Sequence, residues 1–162
     1  MAFYKNNRLL GKNVYTYRPI RFEIRKEPDM IARRNWTRQW WEEYSHLYDL
    51  YTSDAVADEL SNGDYPTKNE TIPFLLKINQ LPIIMEISEI VEVYIENKLM
   101  PIDPLGDALH LALASYYKCD FLLTWNCKHL ANANKFAQIK RINTILGLFV
   151  PTLITPLQLL GG

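Results

Sequence analysis

The stretch Asp103-Pro-Leu-Gly-Asp-Ala-Leu-His-Leu-Ala-Leu-Ala-Ser-Tyr116, followed by Phe121-Leu-Leu-Thr-Trp125, decides the fold class. Leu105, Ala108, Leu109, Leu111, Ala112, Leu113, Ala114 and Tyr116 make a helix that is apolar on nearly every side, and such a helix is buried. Asp103 is its expected N-cap and Pro104 its first helical residue. The apolar run at 121–125 reads as a short strand, so a buried helix hands over to a buried strand.

The same alternation recurs outward from this point. Residues 14–17 are β-prone, and Pro28 opens an amphipathic helix to about residue 47, with Met30, Ile31, Trp36, Trp40 and Trp41 available for its apolar stripe. A strand at 50–52 leads into a helix opened by Ser53 or Asp54 and closed near Gly63. Next come a helix over about 67–79, a continuously apolar strand over 82–87 and a helix over about 88–99. Beyond residue 125 the pattern gives one or two helices over about 128–146, a strand at 152–155 and a helical turn at 156–160. Short apolar strands alternating with helices predict an α/β fold whose parallel sheet is covered on both faces. No repeat, low-complexity tract or Gly/Ser linker interrupts the pattern, so residues 1–162 are expected to form a single domain.

Composition narrows the class further. Hydrophobic residues at 48% and charged residues at 22% are ordinary for a globular chain, which excludes disordered, collagen-like and coiled-coil readings. Lys plus Arg and Asp plus Glu both count 18, so a strongly basic whole chain is not an argument for nucleic-acid binding. The neutrality is segregated, however. Residues 1–41 hold 10 basic and 3 acidic side chains, residues 42–107 hold 3 and 14, and residues 108–162 hold 5 and 1. A basic arm beside an acidic middle suits a charged partner or a cation site. Cys119 and Cys127 form no Cys-x-x-Cys pair, and no leading apolar stretch precedes them, so a reduced, cytoplasmic protein is expected. No apolar run approaches the roughly 20 residues that span a bilayer, so no membrane partner is expected.

Three oxygen-bearing side chains stand out at the ends of elements. Glu59 borders the stripe that contains Val56 and Leu60, whereas Asp54 and Asp58 share a more exposed face. A carboxylate beside apolar neighbours needs a partner or a metal, although a solvated helix face is the plainer reading of this segment. Asp107 falls in the first turn of the buried helix, where the macrodipole favours an anion, and His110 follows on the same side. With Asp103 as the cap, Asp107 is left facing inward. Asn126 follows the strand at 121–125 and reads equally well as a turn residue. Zinc is a weak alternative: His110, Cys119, Cys127 and His129 match no structural zinc spacing, and the two cysteines lie at opposite ends of one strand. Neither a nucleophile elbow nor a glycine-rich phosphate loop is present in the sequence. Carboxylates and an amide oxygen suit a hard cation such as Mg²⁺ or Mn²⁺.

The run Asp107-Ala-Leu-His-Leu-Ala-Leu-Ala114, then Cys119-Asp-Phe-Leu-Leu-Thr-Trp-Asn126 and Lys128-His-Leu-Ala-Asn132, resembles the second half of PIN-domain proteins, in the bacterial branch of VapC-type toxin nucleases. Tyr51-Thr-Ser-Asp-Ala-Val-Ala-Asp-Glu-Leu60 resembles that family's second acidic motif, and Ile154-Thr-Pro-Leu-Gln-Leu-Leu160 its closing strand and turn. The likeness runs over about residues 36–162. It implies an α/β/α sandwich with a central parallel sheet and an acidic cleft that binds Mg²⁺ or Mn²⁺ for RNA cleavage. Glu59 then matches the second acid and Asp107 the third, and Asn126 stands where many relatives carry an aspartate. Thr124 matches the polar residue beside that position. The resemblance also implies RNA as substrate, an antitoxin protein as partner and a homodimer. Arg18, Arg21, Arg25 and Lys128 are the expected phosphate contacts, against a reading of the arginines as a solvated face. Trp36, Trp40 and Trp41 are expected in the core more than as base-stacking residues.

One departure bears on activity. The family's first strand ends in Asp or Glu, whereas here Tyr17 stands at about that position with Arg18 beside it. A neutral phenol and a guanidinium cannot replace a carboxylate on Mg²⁺. Residues 16–22 read as locally altered, and a catalytically impaired copy that binds RNA or protein is the alternative expectation.

Overall fold

The computed structural model describes residues 13–16, 28–62, 68–100, 106–125 and 133–160. Five strands, β1 (Asn13–Thr16), β2 (Asp49–Thr52), β3 (Asn79–Gln80), β4 (Phe121–Leu123) and β5 (Thr152–Ile154), form one sheet in the order β3-β2-β1-β4-β5. Every pairing is parallel, with Val14 opposite Leu50 and Phe121, and Tyr15 opposite Tyr51 and Leu122. Parallel strands need crossovers, and the helices supply them: α1 (Pro28–Glu43), α2 (Asp54–Ser61), α3 (Lys68–Leu75), α4 (Met85–Glu96), α5 (Asp107–Tyr116) and α6 (Ala133–Leu146). A 3-10 turn at Ser45–Leu47 precedes β2 and another at Pro156–Leu159 follows β5.

The two-residue period of a strand sorts the core into two clusters. Val14 and Leu123 face one side of the sheet and pack with Trp40, Tyr48 and Leu159. Tyr15 and Leu122 face the other, against residues of α2, α3, α4, α5 and α6. The result is the expected three-layer α/β/α sandwich, with α1 and the last 3-10 turn on one face and the other helices opposite. In α5 every residue from Ala108 to Ser115 is buried, as its sequence requires. No described helix is long and apolar enough to cross a membrane.

Several expected boundaries move. Residues 82–87 are not a strand: β3 ends at Gln80 and Met85 already begins α4. The Leu81 amide still donates to the Thr52 carbonyl at 2.7 Å, and Pro82 follows it at the edge of the sheet. The Pro82 carbonyl accepts the Tyr117 hydroxyl at 2.8 Å. Ile87 is fully buried as a helix residue. α4 therefore starts three residues before residue 88, and α3 stops at Leu75 rather than 79. α5 opens at Asp107 with Gly106 as N-cap, so Asp103 does not cap it; Asp103 and Pro104 lie outside the described residues. β4 ends at Leu123, two residues short of Trp125, although the Thr124 amide continues the pairing to the Ile154 carbonyl at 2.9 Å. Within the apolar stripe of α1, Trp40 is fully buried, Trp36 and Trp41 are half-buried and Ile31 is exposed. The side chain of Met30 lies outside the described residues.

Candidate functional site

Strand order places the site. The chain builds β1, β2 and β3 outward in one direction, then returns to add β4 and β5 on the other flank of β1. The crevice between β1 and β4, beyond their carboxyl ends, is the switch point where open parallel sheets bind ligands. The strand ends there are unusually polar for a core: Thr16, Thr52, Ser53 and Thr124 are all buried. The Thr16 hydroxyl donates to the Tyr51 carbonyl at 3.2 Å and the Thr52 hydroxyl to the Thr16 carbonyl at 3.4 Å, which satisfies both and ties β1 to β2.

A chain of side-chain hydrogen bonds runs from this edge into α5 and α2. Ser53 is the N-cap of α2, and its carbonyl accepts the Val56 amide at 3.0 Å. Its hydroxyl makes no capping bond and instead meets the Tyr15 hydroxyl at 2.8 Å. The Tyr15 hydroxyl also meets His110 Nδ1 at 2.8 Å, and His110 Nε2 lies 3.1 Å from Glu59 Oε1. Ser53, Tyr15 and His110 are fully buried, while the Glu59 side chain keeps 22% of its surface. Burying three polar groups is tolerable here because each has a partner.

The carboxylate fixes the direction at one end of the chain only. An ionised carboxylate only accepts, so His110 Nε2 carries a hydrogen toward Glu59. In a neutral imidazole Nδ1 then accepts from the Tyr15 hydroxyl, whose oxygen accepts from Ser53; in an imidazolium both hydroxyls turn around. Either arrangement leaves each member with a hydrogen-bond partner.

Asp107 is half-buried in the first turn of α5, one helical turn before His110. Residues three apart share one side of a helix, so Asp107 and His110 lie on the same face of α5. The structure thus brings the segments carrying Glu59 and Asp107 together, and Thr124 sits at the end of β4 in the same crevice. Asn126, Lys128, Arg18, Arg21, Arg25 and Tyr17 lie outside the described residues. Among the described residues, no group of three or more His, Cys, Asp and Glu side chains is arranged to hold a metal ion. Of the residues weighed for zinc, His110 is engaged by Tyr15 and Glu59. Burial, with a smaller push from Asp120, raises the Cys119 thiol to about 12, so at neutral pH it is a protonated hydrophobe rather than a thiolate ligand. Cys127 and His129 lie outside the described residues.

Trp125 adds an aromatic element that the sequence pattern does not single out. Its ring stacks on Trp36 at 6.0 Å between centroids and 28° between planes, and the Arg33 guanidinium lies 5.5 Å from its centroid. Trp125 Nε1 donates to the Thr37 hydroxyl at 2.8 Å, which in turn donates to the Arg33 carbonyl at 2.8 Å. Tyr15 and Ser53 were equally hidden in the sequence. The available signal was a tyrosine inside a buried strand, whose hydroxyl must find a partner. Compared with protein-family models, curated proteins and solved structures, the chain matches none.

Proposed function

We propose that the chain is a divalent-metal-dependent ribonuclease of the PIN type, acting in the cytoplasm as the toxin of a toxin-antitoxin pair. The observation that carries this reading is the placement of Glu59 against His110, one turn from Asp107, beside the switch point of an all-parallel sheet. Two carboxylates and the amide of Asn126 suit a hard cation, and Mg²⁺ characteristically takes one or two protein carboxylates and fills its remaining positions with water and substrate phosphate. When bound, such an ion lowers the pKa of a water and offsets charge developing on the phosphodiester. On this reading Glu59 and Asp107 hold the cation, Asn126 completes the site, and Thr124 lies against the substrate. Arg18, Arg21, Arg25 and Lys128 neutralise RNA phosphates. An antitoxin protein and a second copy of the chain are the partners that go with it.

A second reading, a PIN-like fold that binds RNA or protein without cutting, is favoured by Tyr17 and Arg18 at the first acid's place. Cleavage of single-stranded RNA in Mg²⁺ or Mn²⁺ separates the two. Activity in the parent that disappears in Asp107→Ala supports the nuclease. An inert parent with an active Tyr17→Glu variant supports the impaired fold. Equal cleavage by the parent and Asp107→Ala removes the site altogether.

A further inference from the structure

The inner face of α1 changes character along its length. Arg33, Trp36, Thr37 and Trp40 are spaced three and four apart and so share one face of the helix. At Trp40 that face is core, packed with Val14 and Leu123 of the sheet. One and two turns earlier it meets Trp125 instead, two residues past the end of β4, and there burial is incomplete: Trp36, Trp125 and Arg33 are all half-buried. A plain core seam takes an aliphatic side chain at such a position. Here a guanidinium lies over the Trp125 ring, beside a second indole that stacks on it. Between Met30 and Trp41 the helix carries three cations, Arg33, Arg34 and Arg38, and no acid.

We propose that Trp36 and Trp125, with Arg33, form a stacking platform for a base of single-stranded RNA, on the α1 rim of the crevice beyond β1 and β4. The proposal rests on the RNA-binding part of the reading above and needs neither the cation nor cleavage. Every base has a π-face, so indoles accept bases with little regard to sequence, and arginine adds both a planar stacking surface and a charge for the phosphates. Thr124 ends the pairing of β4 with β5, and Trp125 is the next residue, so a strand that runs past Thr124 meets the indole next. The platform is set before any ligand arrives. The Thr37 hydroxyl accepts Trp125 Nε1 at 2.8 Å and itself donates to the Arg33 carbonyl at 2.8 Å, which holds the ring in place and lowers the ordering cost of binding.

The test measures binding by fluorescence anisotropy, with divalent ions chelated so that nothing is cut. The probes are a short fluorescein-labelled single-stranded RNA of mixed sequence and an abasic ribose-phosphate strand of equal length. Loss of one base–aromatic stack typically weakens binding by about 5–150-fold, so Trp125→Leu is expected in that range on the RNA and unchanged on the abasic strand. Trp125→Phe is expected within about fivefold of the parent, because a π-face remains although the N–H is gone. Thermal melting alongside shows that each variant folds. A folded Trp125→Leu protein that binds the RNA as the parent does overturns the proposal. So does an equal loss on both strands, which makes Trp125 a brace for α1 and nothing more, and so does Trp125→Phe binding as weakly as Trp125→Leu. In each case the RNA reading survives, because the parent binds. Where Trp125→Leu does not fold, the parent decides: saturating RNA should quench its tryptophan emission, and unchanged emission overturns the platform. A parent that binds neither strand is a different failure: it ends the RNA reading and this assignment with it.

Discussion

Trp125 lies flat against Trp36, with the indole N–H anchored on Thr37 one residue further along the same helix. This contact fastens the segment leaving β4 to α1, across the top of the sheet from the side that carries α5. The fastening is polar at one atom and apolar over the rest, and the polar atom is the part that a single substitution removes. Thr37→Val keeps the shape and leaves the Trp125 N–H without its acceptor, at an expected cost of about 1–3 kcal/mol. Urea unfolding measures it, and a midpoint equal to the parent's would show that the hydrogen bond contributes nothing.

Asp107 is the residue whose loss distinguishes chemistry from folding. Asp107→Asn removes a favourable charge at a helix N-terminus, worth about 0.3–1 kcal/mol, so the melting temperature should drop only slightly. On the proposed ribonuclease reading, in which Asp107 holds the cation, divalent-dependent RNA cleavage should by contrast fall by about 100-fold or more. Parallel melting and cleavage assays on one preparation decide it. Unchanged cleavage in the folded variant counts against the site.

The joint between α4, α5 and α6 is a second buried polar group, and its behaviour in alkali is predictable. The Tyr94 hydroxyl donates to Asn143 Oδ1 at 2.6 Å, and Asn143 Nδ2 donates to Ser115 Oγ at 2.9 Å and to the Phe149 carbonyl at 2.8 Å. Burial raises Tyr94 to about 12, against partial opposition from Ser115 and Asn143. The folded state therefore keeps this proton where the unfolded chain, near 10, has released it. Its contribution is complete below pH 10 and is lost as pH rises toward 12, on the order of 3 kcal/mol over that window. Tyr94→Phe should flatten this part of the stability curve relative to the parent, measured by urea unfolding at a series of alkaline pH values. Parallel curves for the two proteins would refute it.

Cys119 gives a kinetic counterpart. With the thiol raised from 9.0 to about 12, the thiolate fraction at pH 8 is lower by about a thousandfold than for an ordinary cysteine. In a Cys127→Ser background, a disulfide reagent should label the native protein slowly and the urea-unfolded protein quickly. Equal rates would mean that the thiol is neither buried nor suppressed.

Local pattern made some of this molecule readable and left other parts invisible. α5 and β4 were legible because nearly every residue there is apolar, so burial follows whatever the partners are. Residues 82–87 resist reading because Pro-Ile-Ile-Met-Glu-Ile is apolar in a run too short to show a period, and its second half already belongs to α4. Asp103 looked like a cap from its neighbour Pro104, yet the helix begins a turn later, at Gly106. In the site, Glu59 was conspicuous against Val56 and Leu60, but its partner lies 51 residues away and nothing in either segment refers to the other. In the sequence Tyr15 shows only as a strand former, since its hydroxyl acts across 38 residues to Ser53 and 95 to His110.

The central position of β1 has a consequence for synthesis. Its first amide is satisfied by Asp120, 107 residues downstream, and its face toward α1 is closed by Leu159. A ribosome that has made β1, α1 and β2 holds only half a sheet, with Val14 and Trp40 awaiting neighbours not yet translated. Long-range pairings of this kind come late and slowly, so the nascent chain is exposed to aggregation and proteolysis until residue 159 has cleared the exit tunnel.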